Sequence, residues 1–93
     1  MNEIEQLRKR IDDLDEQILR FLSQRAEICR SIGSVKEKHG FPIQDFPREN
    51  DVYVHIRERA AELGLDPYHV EAIYRKIVNM CSAIQYSKRK RGK

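Results

Sequence analysis

The chain has 93 residues, of which 40% are hydrophobic and 35% charged, and its formal net charge is +3. These values are typical of one domain, which we place at residues 1–93, without a repeat, a low-complexity linker or a second domain. No apolar segment approaches the length that spans a bilayer, and the chain opens on Asn2 and Glu3 instead of a basic region followed by an apolar run. We therefore expect a cytoplasmic protein with no membrane partner.

The positive charge is concentrated at the C-terminus. Five of the 18 basic residues lie at 88–93, so residues 1–87 carry 13 basic against 15 acidic side chains, a balance of −2. A basic tail of this kind is more typical of a solvated terminus than of a binding element. No aromatic residues are interleaved with the tail to stack on bases, so nucleic-acid binding is not expected.

The first predicted element is a long amphipathic helix from about residue 4 to residue 36. Its first and fourth heptad positions, called here the heptad seam, are Ile4, Leu7, Ile11, Leu14, Ile18, Phe21, Arg25, Ile28, Ile32 and Val35. Nine of these ten positions are apolar. Such a helix would be roughly 50 Å long, whereas a compact chain of this size has a radius of gyration of about 12 Å. We therefore expect the seam to meet a second copy of itself in an intertwined homodimer.

Two shorter helices follow. Gly40 predicts the end of the first helix, and Pro42 and Pro47 predict a stiff loop at 41–46 before the second. Asp66 and Pro67 form the cap and first-turn pair of the third helix. The predicted apolar stripes are Val52, Ile56, Ala60 and Leu63, ending at Gly64, and then Val70, Ile73, Ile77, Met80 and Ile84. No stretch alternates at period two for long enough to predict a strand, so the predicted fold is all-α with three helices.

Arg25 is the one charged residue in the heptad seam. Burying an unpaired cation is unfavourable enough that such residues are normally paired or bind a ligand, so an anion is expected there. Lys36 lies about 20° away around the helix and roughly 16 Å along it, so both cations can lean toward one ligand. Arg8 is roughly 25 Å before Arg25, so only a second copy could bring it to that ligand. The alternatives are a register-fixing Arg25, a Lys36 that complements the helix dipole and a solvated Arg8.

The other two helices carry further candidate polar residues. Asp45, Arg48 and Glu49 stand around the start of the second helix, where an acid is favourable through the helix dipole without any functional role. Gln85 at a buried margin of the third helix needs hydrogen-bond partners, for which backbone or water would suffice. A second stripe of that helix lies beside its predicted apolar face and consists of Tyr74, Val78, Cys81 and Gln85.

Conventional catalytic groupings are absent from the sequence. The three histidines have no metal-motif spacing, and no Gly-rich phosphate loop appears, so neither a metal nor a cofactor is expected. Cys29 and Cys81 are expected to be reduced, although their pairing stays open. No histidine lies near Cys81 on its own helix to act as a base, so a buried structural thiol is expected there.

Taken together, these residues resemble the all-helical class of chorismate mutases, in its monofunctional short-chain form. The resemblance covers essentially the whole chain and is carried, in order, by Leu7 to Asp12, Arg25 to Glu27, Lys36, Pro42 to Asp45, Arg48 with Glu49, and Gln85. It implies an isomerase that rearranges chorismate to prephenate in aromatic amino acid biosynthesis without a cofactor. It also implies a dimer in which each of two sites is completed by the partner.

The resemblance implies a role for each candidate residue. Arg25 and Arg8 of the partner subunit would clamp the two carboxylates of chorismate. Lys36 would contact one carboxylate and the ether oxygen, and Gln85 would donate to that same oxygen. The ring hydroxyl would be held by Glu49 and the backbone near Asp45, with Arg48 supporting that corner.

Cys81 departs from the family pattern, which often has a small polar residue there that touches a substrate carboxylate. A thiol is a weaker donor, so looser substrate binding is expected, and Cys81→Ser is expected to retain activity or improve affinity. Ser82 lies about 100° away around the helix and is expected to be a poor substitute. The alternative functions are an isochorismate-pyruvate lyase on the same scaffold, expected to lack the acid at Glu49, and a non-catalytic dimerisation module in which Arg25 fixes register.

Overall fold

A computed structural model describes the backbone of residues 2–91 and the side chains of residues 2–89. It consists of α1 (Asn2–His39), α2 (Phe46–Glu62) and α3 (Pro67–Arg91), with no strand in the described residues. The predicted all-α class and the order of the three helices are confirmed. Of the predicted basic tail, residues 92 and 93 lie outside the described residues. No helix within residues 2–91 is long and apolar enough to cross a membrane.

The helix ends follow from local chemistry. Gly40 adopts a positive φ of 70° after α1, and the Phe41 amide donates to the Lys36 carbonyl at 2.7 Å, which closes the last turn. Gly64 adopts a φ of 76° after α2 in the same way. At the start of α3, the Asp66 carboxylate accepts hydrogen bonds from two backbone amides of the first turn, and these bonds lower the pKa of Asp66. The predicted stops and the predicted cap are therefore confirmed.

The third helix lies in the middle of the chain. It packs against α1 on one side and against α2 on the other, while α1 and α2 do not pack against each other within the described residues. The molecule measures 55 × 28 × 14 Å and has a radius of gyration of 16.7 Å. A compact chain of this length would have a radius of gyration of about 12 Å, so α1 extends well beyond the rest of the fold.

The buried face of α3 matches the predicted one only in part, since Val70, Ile77 and Ile84 are partly buried. Ile73 and Met80, predicted to be buried, are 59% and 37% exposed. The neighbouring stripe is the more deeply buried one, with Val78 and Gln85 buried and Cys81 partly buried. Because α3 lies between two helices, its inward face is set by where α1 crosses it and not by where its largest apolar residues stand.

The two cysteines form a disulfide that joins α1 to α3. The Cα atoms of Cys29 and Cys81 are 5.4 Å apart, so the prediction that both are reduced was wrong. One turn further along each helix, Gly33 meets Gln85, and a Cβ added at Gly33 would lie only 3.0 Å from the Gln85 Cγ. The helices therefore run side by side in the same direction, and their close approach at Gly33 accompanies the pairing of the two cysteines one turn earlier.

An ion-pair cluster joins α2 to α3. The partly buried Glu71 carboxylate accepts hydrogen bonds from Arg57 of α2 and, at 2.7 Å, from Arg75 of α3. These bonds hold the pKa of Glu71 below its ordinary value. The Arg75 guanidinium also lies 4.3 Å from the centre of the Tyr53 ring, and burial raises the pKa of that phenol. The cluster fixes the orientation of α2, which carries Arg48 and Glu49.

The heptad seam is uncovered in the single chain. Its nine apolar side chains are between 41% and 66% exposed. Residues 2–21, the first half of α1, are exposed without interruption. The residues of α1 that are buried, Cys29 and Gly33, lie beside the seam and contact α3.

Candidate active site

One cleft of about 420 Å³ gathers most of the predicted site residues. It is bounded by the second half of α1, the loop before α2, the first turns of α2 and the last turns of α3. The predicted residues that line it are Arg25, Lys36, Asp45, Arg48, Glu49, Cys81 and Gln85. Arg8 is the one predicted site residue that does not.

Two partly buried cations face this cleft without a counter-ion among the described residues, beside the exposed and likewise unpaired Arg48. Neither Arg25 nor Lys36 forms an ion pair with any described carboxylate, and both side chains are partly buried. The Arg25 Nη1 lies 3.8 Å from the Cys29 Sγ, and the Lys36 Nζ donates to the Ile43 carbonyl at 2.6 Å. Two positive charges held over one concave surface attract an anionic ligand.

Gln85 is held in an unusual environment. It is only 4% exposed, and its Nε2 donates to the Cys81 Sγ at 3.3 Å. Its Oε1 is buried and has no hydrogen-bond partner among the described residues. Buried polar atoms are nearly always paired with protein or water, so this oxygen on the wall of the cleft is open to a water, a ligand or a change in its neighbours.

The two acids at the start of α2, Asp45 and Glu49, differ in their hydrogen-bond partners within the chain. The Asp45 carboxylate accepts from the Arg48 amide at 3.1 Å and so serves as the N-cap of α2. Glu49 is partly buried in the cleft wall, and its carboxylate makes no hydrogen bond or ion pair within the described residues. Glu49 is therefore the acid that can bind a ligand hydroxyl with its side chain.

Arg8 lies in the first half of α1, which extends beyond the other two helices and is exposed. Its guanidinium pairs with Glu5 at 3.1 Å, and both side chains are exposed. A single straight helix keeps Arg8 roughly 25 Å from Arg25, so one chain does not bring them together.

Several residues around the cleft were not predicted from the sequence. Ser82 lines it, although its angle from Cys81 on the helix had suggested that it would not substitute for a polar residue there. The apolar wall comes from Ile28, Ile32, Ile43, Val52 and Val78. Ile28 and Ile32 belong to the heptad seam, so their pattern indicated only dimer contacts.

Arg89 is an exception to the predicted solvated tail. Its Nη2 donates to the Phe41 carbonyl at 3.2 Å, and its Nε lies 3.9 Å from the Glu37 carboxylate. Arg89 therefore holds the loop that presents Ile43 to Lys36. Arg89 lies four residues, or one helical turn, after Gln85 on α3. This spacing could have predicted from the sequence that Arg89 lies near the cleft.

The sequence of the chain matches a known family over the residues that build this cleft. The family model for chorismate mutase type II matches residues 7–86. The chain belongs to the chorismate mutase type II family. This confirms the resemblance to the all-helical chorismate mutases.

Individual relatives agree with the family match. The chain is 36% identical over 88 residues to a bifunctional chorismate mutase/prephenate dehydratase of Aquifex aeolicus, covering 91% of this chain and 24% of that protein. It is 34% identical over 65 residues to a monofunctional chorismate mutase of Enterobacter agglomerans, covering 70% of this chain and 36% of that protein. The chain thus spans only between 24% and 36% of the length of these two relatives.

A solved structure shares the fold. A conserved hypothetical protein from Pyrococcus furiosus superposes with a TM-score of 0.72 at 32% identity, covering 91% of this chain and 97% of that one. The chorismate mutase type II chain described here therefore has a fold that is known from a relative of nearly the same extent.

Proposed function

We propose that the protein is a chorismate mutase, an isomerase that converts chorismate to prephenate in the synthesis of phenylalanine and tyrosine. Family membership supports this function. The observation that carries it is the convergence of Arg25, Lys36, Glu49 and Gln85 on one cleft. Two cations, an acid and an amide match a substrate with two carboxylates, a hydroxyl and an ether oxygen.

The reaction needs no nucleophile. An ether bond of chorismate breaks as a carbon–carbon bond forms in a single pericyclic step, so no group is attacked or protonated. Clamping both carboxylates selects the compact conformer in which the reacting carbons are close. Orientation of this kind can lower the activation free energy by several kcal/mol.

The ether oxygen gains negative charge as its bond breaks. Lys36 and Gln85 supply donors for that oxygen, and one preorganised donor is typically worth roughly 3 to 4 kcal/mol. Lys36 has three N–H donors, so it can keep its bond to the Ile43 carbonyl and still reach the substrate. The amide of Gln85 donates at any ordinary pH.

The opposite corner of the cleft binds the ring hydroxyl. Glu49 accepts from that hydroxyl, since its carboxylate has no competing partner among the described residues. Asp45 contributes through its backbone, because its carboxylate caps α2. Arg48 supports this corner and adds positive charge to the cleft.

The site is completed by a second copy of the chain in an intertwined homodimer. Support comes from the uncovered heptad seam and from the first half of α1, which is exposed throughout. Pairing two such helices would bury both seams and bring Arg8 of the partner subunit toward Arg25. The second carboxylate of chorismate would then meet the second guanidinium. The assembled enzyme is expected in the cytoplasm and needs no cofactor.

A paired assay of the purified protein with chorismate and with isochorismate tests this function. Substrate loss, prephenate formation and pyruvate release are followed together. Prephenate from chorismate without pyruvate is the expected result. Efficient pyruvate release from isochorismate would instead identify an isochorismate-pyruvate lyase, and inactivity on both substrates would favour a non-catalytic dimerisation module.

A further inference from the structure

The Cys29–Cys81 disulfide forms part of the wall of the cleft. Each sulfur lies beside a group to which the proposed function gives a role. The Cys29 Sγ is 3.8 Å from the Arg25 Nη1, and the Cys81 Sγ is 3.3 Å from the Gln85 Nε2. Reduction or oxidation of these sulfurs would therefore change the hydrogen bonds of Arg25 and Gln85, the donors proposed to face the substrate.

The disulfide restricts what the Gln85 amide can do. A disulfide sulfur has no proton and can only accept, so the amide turns its NH₂ group toward Cys81. The Oε1 is then left buried without a partner. In this state one of the two N–H donors of the amide is engaged by sulfur, which holds the NH₂ group toward Cys81, while the acceptor of the same amide is unsatisfied.

We propose that Cys29 and Cys81 form a reversible oxidation site, and that its reduced state is the more active form of the enzyme. The proposal rests on the proposed function, because it acts through Gln85. A reduced Cys81 carries an S–H group that can donate to the Gln85 Oε1. That bond would satisfy the buried oxygen and free the NH₂ group for the substrate.

The reductant is a dithiol, either a small molecule or a protein of the redoxin type. One of its thiolates attacks the Cys81 sulfur, the S–S bond breaks, and Cys29 leaves as a thiolate. The second thiol of the reductant then displaces Cys81 and becomes half of the reductant's own disulfide. Two electrons pass to the protein, and two protons complete its two thiols. A disulfide oxidant reverses each step.

Access and charge favour attack at Cys81. Cys29 is buried at 3% exposure, whereas Cys81 is only partly buried and opens on the cleft. The Arg25 guanidinium beside Cys29 stabilises the departing thiolate. Disulfides in cytoplasmic proteins are commonly transient or redox-sensing, which agrees with the expected location of this enzyme.

The test compares the full-length protein in its oxidised and reduced states. The disulfide is formed with oxidised glutathione or broken with dithiothreitol, the excess reagent is removed, and alkylation with mass spectrometry counts the free thiols. The kcat/KM for chorismate is then measured in each state. The reduced protein should be at least about fivefold faster, within the roughly hundredfold that loss of a single donor produces.

Two variants distinguish an effect that acts through the Gln85 amide from one in which the disulfide only fastens α1 to α3. Cys29→Ser removes the disulfide but leaves Cys81, and its activity should no longer respond to oxidant in protein that mass spectrometry shows to be free of a glutathione adduct. Gln85→Ala keeps the disulfide but removes the amide, so the ratio of reduced to oxidised activity should fall close to one. Circular dichroism and size-exclusion chromatography confirm that each variant folds.

Two results would overturn the redox proposal while leaving the mutase intact. One is equal kcat/KM in the two states when mass spectrometry shows full conversion. The other is an activity ratio that persists in Gln85→Ala, because the disulfide would then act only by fastening α1 to α3. Absence of prephenate in both states would overturn the proposed function itself, and with it this inference.

Discussion

Gly33 shows how a residue without a side chain can position a functional one. It is buried where α1 passes α3, and a Cβ there would lie 3.0 Å from the Gln85 Cγ and 3.3 Å from its Cβ. The Gln85 side chain rests on this glycine. A larger residue would require the Gln85 side chain to shift by a few tenths of an ångström, which would move the amide that we propose serves the ether oxygen.

Gly33→Ala is therefore expected to reduce activity more than stability. Alanine raises helix propensity by up to about 1 kcal/mol, which offsets part of the steric strain. Misplacement of a catalytic group by about 1 Å can reduce the rate by a hundredfold, so a loss of roughly tenfold or more in kcat is expected. Steady-state kinetics and thermal unfolding of the variant measure the two effects.

The matched control is Ser31→Ala, an exposed position on the same helix that bonds only to the Glu27 carbonyl. It should leave kcat unchanged. Unchanged kcat in Gly33→Ala as well would show that Gln85 does not depend on this close approach.

At the scale of the residue, the sequence predicted which side chains meet better than it predicted their chemical state. Arg25 and Gln85 stood out as polar residues at or beside an apolar stripe, and the family resemblance is what made Lys36 a candidate and gave all three a role. The disulfide was missed because 52 residues separate its cysteines and only the crossing of α1 and α3 brings them together. No local pattern records that crossing.

At the scale of the element, α3 sets the relative positions of α1 and α2, and therefore the shape of the cleft between them. Because α1 and α2 do not pack against each other in the described residues, the position of Glu49 relative to Lys36 depends on how each helix is fastened to α3. On the α2 side that fastening includes the bond from Arg57 to Glu71. Neutralising Glu71 should therefore loosen α2.

Glu71→Gln is expected to lower the melting temperature at pH 7 and to raise the KM for chorismate. The pKa of Glu71 is lowered in the native state, first by Arg57 and then by Arg75. Its charged form therefore stabilises the fold above the ordinary glutamate pKa, and this stabilisation is lost as pH falls through the lowered value. The difference in melting temperature between variant and wild type should shrink over that acidic range.

Glu58→Gln is the matched control, since Glu58 is exposed on α2 and forms no ion pair among the described residues. Thermal unfolding from pH 7 down to pH 3 compares the three proteins. A difference between Glu71→Gln and wild type that stays constant over this range would contradict the assigned role.

The ends of the helices were predictable, whereas the inward face of α3 was predictable only in part. Helix ends at Gly40, Gly64 and Asp66 depend only on the backbone of these residues and on their nearest neighbours in sequence. They can therefore be predicted without knowing the rest of the fold. The inward face of α3 depends on two other helices, and the exposure of Ile73 could not be foreseen from its apolar spacing.

At the scale of the whole molecule, the length of α1 and the uncovered heptad seam point beyond the single chain. The seam was predicted from sequence because heptad spacing is a local property of one helix. The partner that we propose covers it is a second copy, which would also supply the Arg8 that the cleft lacks. Catalysis at a cleft completed by that copy is the central claim about this protein.

Mixing two inactive variants tests this claim most directly. Arg8→Ala and Arg25→Ala each remove one guanidinium from both sites of a homodimer, so each alone should form prephenate at a small fraction of the wild-type rate. After unfolding and refolding together, a heterodimer regains one site with both arginines, because one subunit supplies Arg25 and the other supplies Arg8. The account predicts that isolated heterodimers recover about half of the wild-type kcat. Heterodimers that form, as shown by differently tagged subunits, but stay as inactive as their parents would contradict it.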